Sequence, residues 1–114
     1  MAMKIAVSVT TPKSDASFES RFGRAAAFVI VDTNTGEQQV VANPAAQSRG
    51  GAGIRAAEFL VRQDVEAVIS GAFGPNAYDV LQTSGVRLYQ AQSGTVDDLV
   101  ARLLQGDLDA AEDA

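Results

Sequence analysis

Cysteine, histidine and tryptophan are absent from this chain of 114 residues, and lysine occurs only at Lys4 and Lys13. Without thiols there can be no disulfide, no thiolate-ligated zinc or iron–sulfur cluster and no cysteine nucleophile. Without imidazole there is no Ser-His-Asp triad, no histidine acid–base chemistry near neutral pH and no histidine–metal bond. A small hydrolase working from Ser or Asp alone would need a lysine or a metal-bound water to activate it. No apolar run approaches membrane-spanning length. The start, Met1 to Thr10, is too short and too strand-like for a signal peptide, so a cytoplasmic protein without membrane contact is expected.

What is present is an ordinary globular composition. With 46% hydrophobic and 20% charged residues, the chain is expected to form one domain over residues 1–108. Residues 109–114 are expected to be an acidic, solvated tail. Nine basic residues against fourteen acidic ones give a net charge of −5, which argues against nucleic acid as a partner. The charge is unevenly spread. Residues 1–62 carry seven basic and five acidic side chains, net +2, while residues 63–114 carry two and nine, net −7. A net-positive site would therefore lie in the N-terminal half.

Hydrophobic patterning gives the element order. Lys4 to Thr10 reads as a β-branched strand, and a polar loop follows from Thr11 to Ser20. Ala26 to Asp32 is an apolar central strand. Asn34-Thr35-Gly36 is a turn, Glu37 to Ala42 is the answering hairpin strand, and Asn43-Pro44 ends it. Ile54, Ala57, Leu60 and Val61 mark an amphipathic helix over about 53–63. Ala67 to Ile69 is a short buried strand. Pro75 opens a second helix, Val86 to Tyr89 is a strand, and Thr95 caps a third helix that carries Asp97 and Asp98 in its first turn.

The order β-β-β-α-β-α-β-α implies an α/β protein. Antiparallel pairing of the first three strands and right-handed crossovers make the first, third, fourth and fifth strands run together. The expected fold is a ribonuclease H-like three-layer α/β/α arrangement around a mixed five-stranded sheet. All helix N-termini then share one edge of the sheet with the strand C-termini, the edge at which open α/β sheets bind ligands.

Four segments supply that edge. The loop after the first strand brings Lys13, Ser20, Arg21, Phe22, Gly23 and Arg24. The third strand's exit brings Asn43, Arg49 and the glycines Gly50, Gly51 and Gly53. The fourth brings Ser70, Gly71, Gly74 and Asn76. Free N–H groups at helix starts, glycines that permit close approach and several guanidiniums together suit an anion. Each group also has a plainer reading: glycines for turn geometry, Phe22 as a core anchor, Arg21 and Arg24 paired with Glu19 or Asp15, and Pro75-Asn76 as helix-start chemistry. The glycine run is neither a dinucleotide fingerprint nor a phosphate loop. Two-metal nuclease chemistry needs a central carboxylate on the first strand, which has none, and Asp32 lies at the far end of the second.

The runs Ser20-Arg21-Phe22-Gly23-Arg24-Ala25, Phe28 to Asp32, Asn43-Pro44, Gly51-Ala52-Gly53, Ser70 to Ala77 and Gly85 to Tyr89 resemble one family. The chain is similar, over roughly residues 3–108, to small single-domain members of the nitrogenase iron–molybdenum cofactor biosynthesis family. That resemblance implies a ribonuclease H-like fold without nuclease activity and a carrier of an anionic metal–sulfur cofactor. Members that deliver the iron–molybdenum cofactor are associated with a His or Cys near the site, and this chain has neither. A second branch holds a molybdenum–copper sulfide cluster without a protein–metal bond. For that cargo, Arg21, Phe22, Gly23, Arg24, Arg49, Gly51, Gly53, Gly71, Gly74 and Asn76 are the implied binding residues, with Phe22, Ile54 and Phe73 as walls. The resemblance also implies a P-loop ATPase of the chromosome-partitioning type as a partner. Two other readings stay open: a protein-interaction or regulatory module that binds no cofactor, and an accessory protein of iron–molybdenum cofactor biosynthesis.

Overall fold

A computed structural model describes residues 3–12, 17–46 and 50–111. Lys13 and Arg49 lie outside the described residues, as do 112–114 of the expected tail. The strands are β1 (Lys4–Val9), β2 (Ala27–Asp32), β3 (Gln38–Ala42), β4 (Ala67–Ser70), β5 (Arg87–Gln90) and β6 (Asp109–Ala110). The helices are α1 (Ala52–Arg62), α2 (Pro75–Thr83) and α3 (Val96–Leu104), and a 3-10 turn spans Phe22–Arg24.

The sheet order is β3-β2-β1-β4-β5-β6. β1 pairs antiparallel with β2 and β2 with β3, while β4 runs parallel to both β1 and β5, as the connectivity requires. Period-two alternation then divides the core. Ala6, Phe28, Ile30, Val68 and Leu88 face α1 and α2, meeting Ala56, Ala57, Leu60, Ala77 and Leu81. Ile5, Val7, Val9, Val29, Val31 and Ile69 face the other way, meeting Val96, Leu99, Val100 and Leu103 of α3. Helices thus cover both faces of one mixed sheet.

The sheet has six strands, not the five expected. Asp109 and Ala110 pair antiparallel with Gln90 and Tyr89, and the Ala111 N–H donates to the Leu88 carbonyl at 2.8 Å. Leu108 and Ala111, both buried, hold this short segment against the sheet. Its pairing is made by the main chain over two exposed residues, so it leaves no hydrophobic alternation to read. The buried stripe of α1 agrees with expectation at Ala57 and Leu60 and differs elsewhere. Ala52, Ala56, Ala57 and Leu60 are buried, while Ile54 and Val61 are half-buried. Small residues win because α1 lies close against α2: a Cβ on Gly53 would stand 3.3 Å from the Ala77 Cβ.

Candidate anion-binding cleft

The site begins where β1 and β4 part. Their last paired residues are Val7 and Ile69. The next positions, Ser8 and Ser70, are fully buried, with their hydroxyls 2.9 Å apart, and Ser8 Oγ donates to the Glu19 carbonyl at 2.6 Å. Beyond them residues 17–22 enter between the diverging strands. Phe18 bridges Val9 on one side, and Arg21 bridges Ala72 on the other. The Ser20 carbonyl accepts from the N–H groups of Gly71 and Ala72 at 3.0 and 2.6 Å, and the Phe22 N–H donates to the Ala72 carbonyl at 3.0 Å. Glycine is required at 71, because a Cβ there would lie 2.6 Å from the Ser20 carbonyl oxygen.

This segment delivers the 3-10 turn to the helix starts. Phe22 is fully buried, its ring 5.4 Å from that of Phe28 and 5.3 Å from that of Phe73. With the ring anchored, the turn's backbone rests on the first turn of α1: a Cβ on Gly23 would stand 2.9 Å from the Gly53 nitrogen. Buried Asn43 fixes the exit of the turn. Its Nδ2 donates to the Ala25 carbonyl at 2.9 Å, and its Oδ1 accepts from the Ala45 N–H at 2.9 Å.

Between the turn, the start of α1 and the start of α2 lies an open cleft of about 290 Å³. Gly23 and Arg24 form one side, Gly51 to Ile54 the second, and Phe73 to Ala77 the third. The two helix starts share an unusual finish. Gly51 (φ 68°) caps α1 and Gly74 (φ 80°) caps α2, neither cap makes a side-chain hydrogen bond, and neither first turn contains an acid. The first N–H groups of a helix have no intrahelical acceptor, so both ends present donors and positive dipole to the cleft. α3 is finished conventionally: Thr95 Oγ1 accepts from the Asp98 N–H at 3.1 Å, and Asp97 and Asp98 supply the negative charge. Among the three helices, the two that face the cleft are the ones without a side-chain cap.

Of the residues expected from sequence, Gly23, Arg24, Gly51, Gly53, Gly74 and Asn76 line the cleft, with Ile54 and Phe73 as walls. Phe22 sits behind it in the core. Gly71 also sits behind it, lining a separate cleft with Gln90, Gln92 and Asp109. Arg21 is exposed and engaged with Glu19 through its main-chain N–H at 3.0 Å and its guanidinium at 3.3 Å. Ala52, Pro75 and Ala77 also line the cleft, within the helix-start main chain at 50–53 and 74–77 to which the sequence pointed. Ser8 was missed, although a serine within an apolar strand marks a buried polar partner.

Asp32 caps the β2–β3 turn, accepting from the Asn34 N–H at 2.9 Å. Among the described residues no three His, Cys, Asp or Glu side chains come together to hold a metal ion. A larger cleft, about 440 Å³, borders α2, β5 and β6, but it has no helix start to supply donors.

Burial alone would raise the Glu19 carboxyl, yet hydrogen bonds from the Arg21 side chain and N–H, the Arg21 charge and the Ser20 N–H together hold it below the usual carboxylate range. A carboxyl depressed by folding contributes stability above its unfolded pKa and loses that contribution as pH falls through the folded value. Acid titration is therefore expected to lower the melting temperature of the wild type more than that of Glu19→Gln below about pH 4.5. Melting curves across that range, read as the difference between the two proteins, check it.

The chain belongs to the dinitrogenase iron–molybdenum cofactor family, whose model matches residues 3–106. Its fold is similar to that of the orange protein from Desulfovibrio gigas, determined in its apo form: 36% identity, TM-score 0.92, covering 99% of this chain and 96% of the other. The solution structure of the Thermotoga protein TM1290 is also similar, at 32% identity and TM-score 0.82 over 96% and 93% of the two chains. An uncharacterized Methanocaldococcus jannaschii protein, MJ0580, is 30% identical over 113 residues, 96% of this chain and 92% of that one.

Proposed function

We propose that this protein is a non-catalytic carrier of an anionic, molybdenum-containing metal–sulfide cluster, a molybdenum–copper sulfide being the best match to the family resemblance. The cargo lies in the cleft between the 3-10 turn and the starts of α1 and α2. The observation that carries this reading is the pair of glycine-capped, acid-free helix starts facing one cleft, in a chain whose third helix is capped in the usual way. A cluster that brings its own sulfide ligands needs no thiolate or imidazole from the protein, which fits a sequence with neither. It needs donors for its sulfurs, opposite charge and apolar walls. The helix-start N–H groups, Arg24, and Ile54 with Phe73 supply these in turn. Phe22 and Gly71 act from behind, by holding the turn. The strand order supports describing the fold as ribonuclease H-like. A cytoplasmic carrier that exchanges cargo with a P-loop ATPase of the chromosome-partitioning type follows from the same family resemblance.

Titrating the apo protein with tetrathiomolybdate and copper, followed by visible absorbance, tests the proposal. A saturable coloured species that stays with the protein through gel filtration is expected, and colour that elutes with small molecules sinks the idea. Binding held by charge should weaken as salt rises. Arg24→Ala removes one charge-assisted contact, worth about 1.5–3 kcal/mol, and should weaken binding about tenfold or more. The same titration on the variant at two salt concentrations reads both effects.

A further inference from the structure

The two edges of the sheet are finished differently. At one edge β6 is only two residues long and carries Asp109; shortness and charge are common ways of keeping an exposed edge from pairing. At the other edge β3 runs for five residues, Gln38-Gln39-Val40-Val41-Ala42, with an unbroken register against β2 and no charge or proline. The Asp32 N–H donates to the Glu37 carbonyl, and the Asn43 N–H donates to the Ala26 carbonyl. Antiparallel ladders alternate bonded and non-bonded pairs, so Gln39 and Val41 direct their main-chain groups to β2. Those of Gln38, Val40 and Ala42 point outward, and no hydrogen bond from another described loop or turn reaches them. Val40 and Val41 are half-buried and pack on opposite faces of the sheet, so a strand laid alongside would cover apolar surface on both.

We infer that this edge pairs with the same edge of a second copy, antiparallel about a two-fold axis through Val40. In that register Val40 meets the partner's Val40, Gln39 meets the partner's Val41, and Gln38 meets the partner's Ala42. Glu37 falls opposite the partner's Asn43, so no like charges oppose one another and a β-branched pair sits at the centre. Sliding the pairing by two residues brings either the β2–β3 turn or Pro44, which has no N–H, opposite an outward group. The strand is thus its own complement in one register, as an isologous two-fold interface requires. This favours a second copy over a foreign strand. Because the strands run antiparallel, the two cargo clefts fall at opposite ends of the joined sheet and both remain open.

Light scattering of the full chain from low micromolar to millimolar concentration is expected to show the mass rising from 11.9 kDa to twice that value. Salt should favour the dimer, since each copy carries −5 and screening reduces their repulsion; this is opposite to its effect on cargo binding. Val40→Pro removes only an outward donor and leaves every β2–β3 bond in place, so it is expected to stay monomeric with an unchanged circular dichroism spectrum. If that variant fails to fold, Val40→Lys serves instead. It opposes two like charges on the axis and should lose the dimer at low salt while recovering it in part at high salt. A wild type that remains monomeric throughout, or a dimer that survives both substitutions, overturns the inference.

Discussion

Replacing Phe22 by alanine is expected to cost about 3–5 kcal/mol of stability, the range for removing a fully buried aromatic ring. The ring has no solvent-exposed surface and stands between Phe28 and Phe73, so its loss leaves a cavity bounded by two large side chains that cannot both move into it. Phe73 also forms a wall of the cleft. The same substitution should therefore loosen the wall and the 3-10 turn together, and weaken cargo binding at temperatures where the variant is still folded. Urea unfolding reads the first effect, and a tetrathiomolybdate–copper titration well below the melting temperature reads the second. Phe22→Leu, which refills most of the volume, should recover most of both.

The second large effect is expected at Gly71. An alanine Cβ there would meet the Ser20 carbonyl oxygen at 2.6 Å and the Ser20 Cβ and Cα at 2.7 and 2.9 Å. Two of these three atoms are main chain, so relief requires moving residues 20–22 away from Ala72. The hydrogen bonds of Gly71 and Ala72 to Ser20, and of Phe22 to Ala72, would stretch with that movement. Overpacking of this kind costs about 1–3 kcal/mol or more, and it displaces the segment that carries Gly23 and Arg24. Gly71→Ala should thus lose both stability and cargo affinity although residue 71 does not line the cleft. Gly50→Ala is the control: nothing lies within 4 Å of its Cβ position, and its melting temperature should stay close to wild type. Differential scanning calorimetry of the two variants, with the cargo titration alongside, separates a local clash from a general sensitivity to added methyl groups.

Much of this architecture was legible in the residues. The β-branched face of β1, the unbroken apolar run of β2, the Asn34-Thr35-Gly36 turn and the Pro75 and Thr95 helix starts each express local physics directly, and the strand directions followed from short connections. β6 was not legible, because two exposed residues carry no periodicity and their pairing is made by the main chain. The α1 stripe was legible only at Ala57 and Leu60, since the alanines at 52 and 56 are buried for the closeness they allow rather than for their hydrophobicity. At the site, glycines at helix starts announced the cleft through Gly51, Gly53 and Gly74. What the sequence could not separate was lining from support. Gly23 and Gly71 look alike in a string, yet one borders the cleft and the other lets a strand segment pass behind it. Arg21 and Arg24 look alike too, and only the structure shows Arg21 turned to Glu19 while Arg24 borders the cleft.

In the proposed complex a preassembled anion sits against two helix starts that have no side-chain caps. Amide chemical shifts of the isotope-labelled protein, followed through a titration with tetrathiomolybdate and copper, test it most directly. The largest shifts are expected at Gly23, Arg24, Ala52 to Ile54, Asn76 and Ala77, with Thr95 to Asp98 at the capped start of α3 unchanged. Shifts centred on α3 or on the cleft beside β5 and β6, or no shifts at all, would contradict it.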